Sequence, residues 1–261
     1  MSTAPASAGL QVRQSALRFG GVHAIRDVSF DVAPGEIFAI IGPNGAGKTS
    51  VFNVITRVFD PTAGSVLFGG VDLIGLPRHR VVEQGIARTF QNIELFEGAT
   101  VLDNLMLGCH RFARESFWGQ CLWTPKVRQT EAQLRAHVED VIDLLDLAPH
   151  RNTLITGLPY GVRKVVELAR ALATRPQVLL LDEPASGLNP EETRDLAFWI
   201  EDIRSDLGMT VVMVEHDMSL VSEVADRVLC MNLGEVLSTG TPAQVQSDPK
   251  VIAAYLGSTD S

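Results

Sequence analysis

The sequence predicts an α/β chain: a mostly parallel core sheet, an antiparallel β portion near its start and an all-helical insert in its middle. Three observations predict it. The first is a pair of apolar runs without alternation, Ile37 to Ile41 and Val178 to Leu181, as expected of strands buried on both faces of a parallel sheet. The second is the alternation of Val28, Phe30 and Val32, which reads as a half-buried strand. The third is the recurrence of Leu134, Val138, Val141, Ile142 and Leu145 at helical spacing, with charges between them, which core packing explains.

In chain order, Leu10 to Phe19 reads as an edge strand and Phe19-Gly20-Gly21 as a turn. Ala24 to Val32 is a strand, Ala33-Pro34-Gly35 a turn, and Ile37 to Ile41 the first buried strand. Next comes Gly42-Pro43-Asn44-Gly45-Ala46-Gly47-Lys48-Thr49-Ser50, then a helix-like run from Val51 to Thr56. Strand, glycine loop and helix is the context that makes G-x-x-x-x-G-K-[ST] a phosphate-binding loop. Its glycines let backbone N–H groups turn onto phosphate oxygens, and the helix N-terminus faces the same anion. Lys48 adds a full charge, and the Thr49 hydroxyl suits a Mg²⁺ ligand. Ser65 to Phe68 is a further short strand.

From Gly85 the character changes. Asn92 opens a helical region running to about Leu147, with Thr100 as an N-cap and Thr124-Pro125 as another helix start. Gly108 to Trp123 is aromatic and basic, without a period. The α/β pattern resumes with a helix from Lys164 to Thr174, Glu167 and Arg170 lying on its surface. Val178 to Leu181 is a strand, Glu191 to Ser205 a helix, Thr210 to Val214 a strand and Met218 to Ala225 a helix. Val228 to Met231 and Glu235 to Ser238 form a hairpin, and Gly240-Thr241-Pro242 opens a helical tail. The organisation is thus 1–91 with 160–240 as a core, 92–159 as a helical subdomain and 241–261 as a tail.

Composition narrows the class. Hydrophobic residues make up 46% of 261, enough for a large core, yet no apolar run reaches the length needed to cross a bilayer. Met1 to Gly9 carries no basic-then-apolar signal, which predicts a cytosolic chain. Cys109, Cys121 and Cys230 form no C-x-x-C pair and suggest no disulfide framework. A net charge of −9 weighs against a nucleic-acid backbone binder.

Asp182-Glu183 sits at the carboxyl end of a buried strand, where ligands bind in open α/β sheets. Asp182 suits Mg²⁺ through water, and Glu183 suits a general base that orients an attacking water. An acidic pair alone would read as solvated; following a phosphate loop, it reads as chemistry.

Taken together, these residues resemble the ATP-binding subunit of an ABC transporter over nearly the whole chain. In that pattern Gln91, in Thr89-Phe90-Gln91-Asn92, is the Q-loop glutamine. Leu158-Pro159-Tyr160-Gly161-Val162-Arg163-Lys164 is the signature, Ala185 to Asn189 the D-loop and His216 the switch histidine. The resemblance implies a P-loop NTPase (RecA-like) core and ATP with Mg²⁺ at Thr49, Gln91 and Asp182. It implies that His216 positions the γ-phosphate and Glu183, and that Phe19 stacks on adenine, although a strand-end core aromatic would look the same. It also implies a head-to-tail homo- or heterodimer, in which Tyr160 and Gly161 of one subunit face the other's phosphate loop. Most relatives carry serine where Pro159 stands, and proline supplies neither hydroxyl nor N–H. The site this signature completes is therefore expected to be electrostatically weaker.

Arg88-Thr89-Phe90-Gln91-Asn92-Ile93, Gly187-Leu188-Asn189-Pro190 and the ending Val251 to Gly257 are similar to the larger ATPase subunit of branched-chain amino-acid importers. That likeness implies hydrophobic permease subunits, an extracytoplasmic solute-binding protein acting indirectly, and a place at the cytoplasmic face of the membrane. Ile93, Leu95 and Phe96 fit either a permease-docking groove or the core of the insert. Importers of urea or short-chain amides look alike. A non-transport ABC ATPase is the other alternative, but its usual paired units, zinc modules or basic arms are missing.

Overall fold

The computed structural model describes residues 9–89, 93–109 and 125–256. Its elements begin with β1 (Leu10–Phe19), β2 (Val22–Val32), β3 (Ile37–Ile41), α1 (Lys48–Ile55), β4 (Ala63–Phe68), β5 (Val71–Asp72), α2 (Arg78–Glu83) and β6 (Ile86–Arg88). Helices α3 (Val101–Gly108), α4 (Pro125–Leu144) and α5 (Tyr160–Ala173) follow. Then come β7 (Val178–Asp182), α6 (Pro190–Ser205), β8 (Thr210–Val214), α7 (Met218–Val224), β9 (Arg227–Asn232), β10 (Glu235–Gly240), α8 (Pro242–Gln246) and α9 (Pro249–Leu256). The chain divides into two compact units, Met1–Arg88 with Gln177–Ser261, and Thr89–Pro176.

The first unit holds two sheets. One is antiparallel, in the order β2-β1-β4-β5. Leu10 to Phe19 is therefore an interior strand and not the edge strand that the sequence suggests: Leu10 pairs with Val32 on one side and Phe68 on the other. Pairing order is a tertiary property that a single strand's residue pattern does not carry. The other sheet runs β10-β9-β3-β8-β7-β6, parallel except for its β10 edge. Every residue of β3, β7 and β8 is buried, as their unbroken apolar runs require of strands covered on both faces. Register sets the functional ends level. Val214 of β8 pairs with Ile40 of β3 on one side and Asp182 of β7 on the other.

The second unit is helical. Leu134, Val138, Val141, Ile142 and Leu145 are buried, as their spacing predicts. Thr100 closes a capping box with Asp103 at the start of α3; the described residues before it, 93–99, form a loop and not the start of a helix. The buried Asn104 side chain ties that loop down, accepting from the Phe96 N–H at 2.9 Å and donating to the Phe96 carbonyl at 3.1 Å. Helix α5 begins at Tyr160, before the expected Lys164, and Glu167 is buried in it instead of lying on its surface. A charge is usually a surface marker, and here the packing of the unit overrides it. No helix of the described residues is long and apolar enough to cross a membrane.

Candidate functional site

The phosphate loop leaves β3 at Gly42 and enters α1 at Lys48. Two of its glycines are required by close approach. A Cβ on Gly42 (φ 147°) would lie 2.1 Å from the Met231 carbonyl oxygen, and one on Gly47 (φ 98°) 2.3 Å from that of Ala24. The loop is thus pressed against β9 and β2, and any side chain there would push it away. Ala46 is buried and its carbonyl accepts the Gly234 N–H at 3.0 Å, while Asn44 and Gly45 are exposed and Pro43 partly so. Gly47 is the N-cap of α1 and supplies no side-chain cap to the helix's first-turn N–H groups. Those donors, beside the half-buried Thr49 and Ser50, are what an anion needs.

Lys48 is buried, and its ammonium donates to the Gly42 carbonyl at 2.7 Å and the Pro43 carbonyl at 3.1 Å. Burial pulls its pKa below the ordinary lysine value, and the negative charges of Glu183 and Asp182 oppose that shift. The cation and the two carboxylates therefore act on one another within a single cluster.

Asp182, the last residue of β7, is 2% exposed. Its Oδ2 accepts from the Arg88 guanidinium at 2.5 Å. Arg88 also donates to Asn53 Oδ1 on α1 at 2.8 Å and to Oγ1 of Thr56, the helix's C-cap, at 3.3 Å, and it lies over the Phe52 ring. The other carboxylate oxygen, Oδ1, is buried and has no hydrogen-bond partner among the described residues. An orphaned carboxylate oxygen in Coulomb range of the phosphate-loop lysine fits a hard divalent cation such as Mg²⁺.

Glu183 follows with φ 50°, a left-handed conformation that costs a non-glycine residue on the order of 1–3 kcal/mol. Its N–H donates to the Val214 carbonyl at 2.9 Å, so the turn starts while the chain is still tied to β8. Beyond β8, Glu215 is fully buried. It accepts the Ala185 N–H at 2.8 Å through Oε1, and the His216 and Asp217 N–H groups at 2.8 and 3.1 Å through Oε2. The His216 side chain is 58% exposed, with Nδ1 3.7 Å from Glu215 Oε2. Asp217 caps α7 by accepting the Ser219 N–H, and hydrogen bonding to Ser219 holds its carboxyl below the usual range.

Phe19 is 45% exposed and packs edge-on against Phe59, with ring centroids 4.9 Å apart. It is therefore a surface aromatic and not a buried core ring. Tyr255 of α9 has a buried hydroxyl facing the Gly42 amide, and burial pushes its pKa up to about 12. Burial likewise pushes the thiol of Cys230, paired with Ile41, up to about 11, which leaves it an inert core residue.

The first unit thus gathers the phosphate loop, Lys48, Asp182, Glu183 and His216 at the carboxyl ends of β3, β7 and β8. Tyr160 and Gly161 belong to the second unit, at the N-terminus of α5. Pro159 is the N-cap there, and no side chain caps the helix. Gly161 is buried, and Tyr160 is half exposed with the Lys164 ammonium 5.8 Å from its ring centroid. Arg163 donates to the Leu158 and Thr156 carbonyls and holds the turn before the helix. Gln91 lies outside the described residues, as does Cys121. Sequence reasoning gave no role to Arg88, Glu215 or Phe59. A lone charge at the end of an apolar strand run, as in Ile86-Ala87-Arg88 and Val214-Glu215, is the signal that could have found the first two.

Comparison with known proteins identifies the family. Residues 25–186 match the family model for ABC transporters, and residues 235–261 match one described as branched-chain amino acid ATP-binding cassette transporter. The chain is 40% identical to the high-affinity branched-chain amino acid transport ATP-binding protein BraF of Pseudomonas aeruginosa, over 95% of this chain and 97% of that protein. It is 39% identical to LivG of Escherichia coli K12, which carries the same description, with the same coverage. Among solved structures, the ADP conformation of an ATP-binding cassette of an ABC transporter superposes with a TM-score of 0.83 at 29% identity, covering 96% of this chain and 99% of that one. A nucleotide-free cassette gives 0.82 at 28% identity, covering 95% and 98%. The chain belongs to the ABC transporter ATP-binding family and groups within it with the branched-chain amino-acid transport proteins.

Proposed function

We propose that this chain binds and hydrolyses ATP to power uptake of branched-chain amino acids through separate permease subunits, to which it docks at the cytoplasmic face of the membrane. The observation that carries the reading is the Asp182 carboxylate. One oxygen is tied to Arg88 and the other is buried without a partner, beside a phosphate loop. The printed names of BraF and LivG supply the solute class.

In this reading the loop amides and Lys48 hold the phosphates, Lys48 exchanging its bonds to the Gly42 and Pro43 carbonyls for phosphate oxygens. Thr49 and Asp182 hold Mg²⁺, and Gln91 contributes from the Q-loop. Bound Mg²⁺ supplies charge neutralisation across the phosphate oxygens. Glu183 accepts a proton from the attacking water and orients it. His216 positions the γ-phosphate side of the site, and Phe19 offers an exposed ring for adenine, a contact worth about 1–3 kcal/mol. The free N–H groups of α5, with Tyr160 and Gly161, close over the phosphate loop of a second ATPase subunit in a head-to-tail dimer. Gln91 carries the nucleotide state to the helical unit and so to the permease.

The test is ATP hydrolysis by the chain assembled with its permease and solute-binding protein in liposomes. Stimulation by leucine, isoleucine or valine is the expected result. Stimulation by urea or short-chain amides alone would overturn the solute assignment while leaving the ATPase reading intact.

A further inference from the structure

We propose that Glu215 is a positioning residue for hydrolysis: one buried carboxylate sets the loop carrying Glu183 and the loop carrying His216 against each other. Glu215 is the first residue beyond β8, and its own N–H still pairs with the Ile40 carbonyl at 3.2 Å, so its backbone remains part of the sheet. Its side chain is 0% exposed, an arrangement that a carboxylate tolerates only with full hydrogen bonding. Oε1 takes the Ala185 N–H and Oε2 takes those of His216 and Asp217.

Ala185 lies two residues beyond Glu183, in a tight turn. Ser186 N–H donates to the Glu183 carbonyl at 3.1 Å, and Leu188 N–H donates to the Ala185 carbonyl at the same distance. Anchoring Ala185 therefore anchors the turn in which Glu183 holds its left-handed backbone. The other oxygen anchors the backbone of His216 itself. The distance between the proposed base and the proposed phosphate-positioning histidine thus depends on one side chain whose hydrogen bonds go to the backbones of the two loops.

All three partners are donors, so both oxygens must accept. A glutamine of the same shape presents one oxygen and one NH₂. Either rotamer sets a donor against at least one buried backbone N–H. Lys48 and the phosphate loop make no hydrogen bond to Glu215, and its charge is the weakest of those acting on Lys48, so nucleotide affinity is the property that should survive best.

The inference rests on the proposed roles of Glu183 and His216, and the experiment separates its failure from theirs. Glu215→Gln, Glu183→Gln and the double variant are made in the full chain and assembled with the permease. ATP affinity is read with a fluorescent nucleotide, and turnover and thermal midpoint are read on the same preparations. For Glu215→Gln we expect turnover to fall about tenfold or more while ATP affinity stays within about threefold, since misplacing a catalytic group costs rate before binding. We expect the double variant to lose less than the two single losses combined, because Glu215 acts in part through Glu183. A merely structural carboxylate would give additive losses and would lower affinity together with stability. Parental turnover in Glu215→Gln, or additive losses in the double variant, would overturn the proposal. Parental turnover in Glu183→Gln would instead overturn the assignment of the base. If Glu215→Gln does not fold, Glu215→Asp carries the same test: it keeps both acceptor oxygens on a stem too short to span both loops, and the same split between turnover and affinity is expected.

Discussion

The phosphate loop and the signature region each lead into a helix whose N-cap residue supplies no side-chain cap, and they are built in opposite ways. Helices α3, α6, α7 and α8 begin with a capping side chain: Thr100, Asn189, Asp217 and Thr241. Helices α1 and α5 have none, and the six-residue α2 shares that lack. Around α1 the missing cap is surrounded by buried charge, with Lys48 on its own loop, Asp182 tied to Arg88 through one oxygen and without a partner among the described residues on the other, and Glu183 within Coulomb range. Around α5 there is an exposed proline and tyrosine, one ammonium over the ring, and backbone N–H groups. The first region gathers Lys48, Asp182 and Glu183 around one helix start. The second contributes little beyond backbone donors, which suits a surface that completes a site elsewhere.

Removing charge from the first region should therefore have the larger effects. Lys48→Ala deletes the cation that opposes Asp182 and Glu183, and we expect ATP affinity to fall roughly a hundredfold, as when one partner of a buried charge pair is truncated. Equilibrium binding of a fluorescent nucleotide checks this, and parental affinity would place the phosphates elsewhere.

Arg88→Met comes next. Breaking a buried ion pair by removing one partner costs about 3–5 kcal/mol of stability. It also frees a carboxylate that Arg88 orients, so the enhancement of ATP affinity by Mg²⁺ should shrink about tenfold, in the range seen for other supports of metal ligands. Titrations with and without Mg²⁺ separate the two effects. Weakened binding to the same degree in both would show that Arg88 serves packing alone.

Pro159→Ser should have the smallest effect. A serine there could donate one hydrogen bond across the dimer, worth about 0.5–1.5 kcal/mol, or cap its own helix for about 1 kcal/mol. Turnover in the assembled complex should rise a few-fold at most. A higher melting temperature with unchanged turnover would show the hydroxyl spent on the cap, and the idea of a weakened signature would fall.

The two regions also differ in how far the sequence revealed them. Lys48, Asp182, Glu183 and His216 were legible because each ends a buried parallel strand or opens a helix, and strand ends in such sheets converge. Arg88 and Glu215 were not. A lone charge ends each strand run, but Asp182 lies 94 residues from Arg88 and Ala185 30 residues from Glu215, so the local pattern marks the residue without saying what it holds. The same limit hid the interior position of β1, which depends on which strands flank it. Glu167 misled because charge marks surface in most helices, and only the packed unit shows it buried. Pro159 was legible as a residue without hydroxyl or N–H, but the start of α5 beside it was not, since the pattern pointed to Lys164. Its exposed Tyr160 with Lys164 above the ring is a spatial fact that the heptapeptide alone does not state.

The central claim is that the first region separates holding ATP from breaking it, with Lys48 on one side and Glu183 on the other. The direct measurement is ATP affinity and turnover of Glu183→Gln beside the parental chain, both in the assembled complex. The account expects affinity within about threefold and turnover lower by a hundredfold or more, in keeping with the contribution of a positioned general base. Parental turnover, or an affinity loss as large as that of Lys48→Ala, would contradict it.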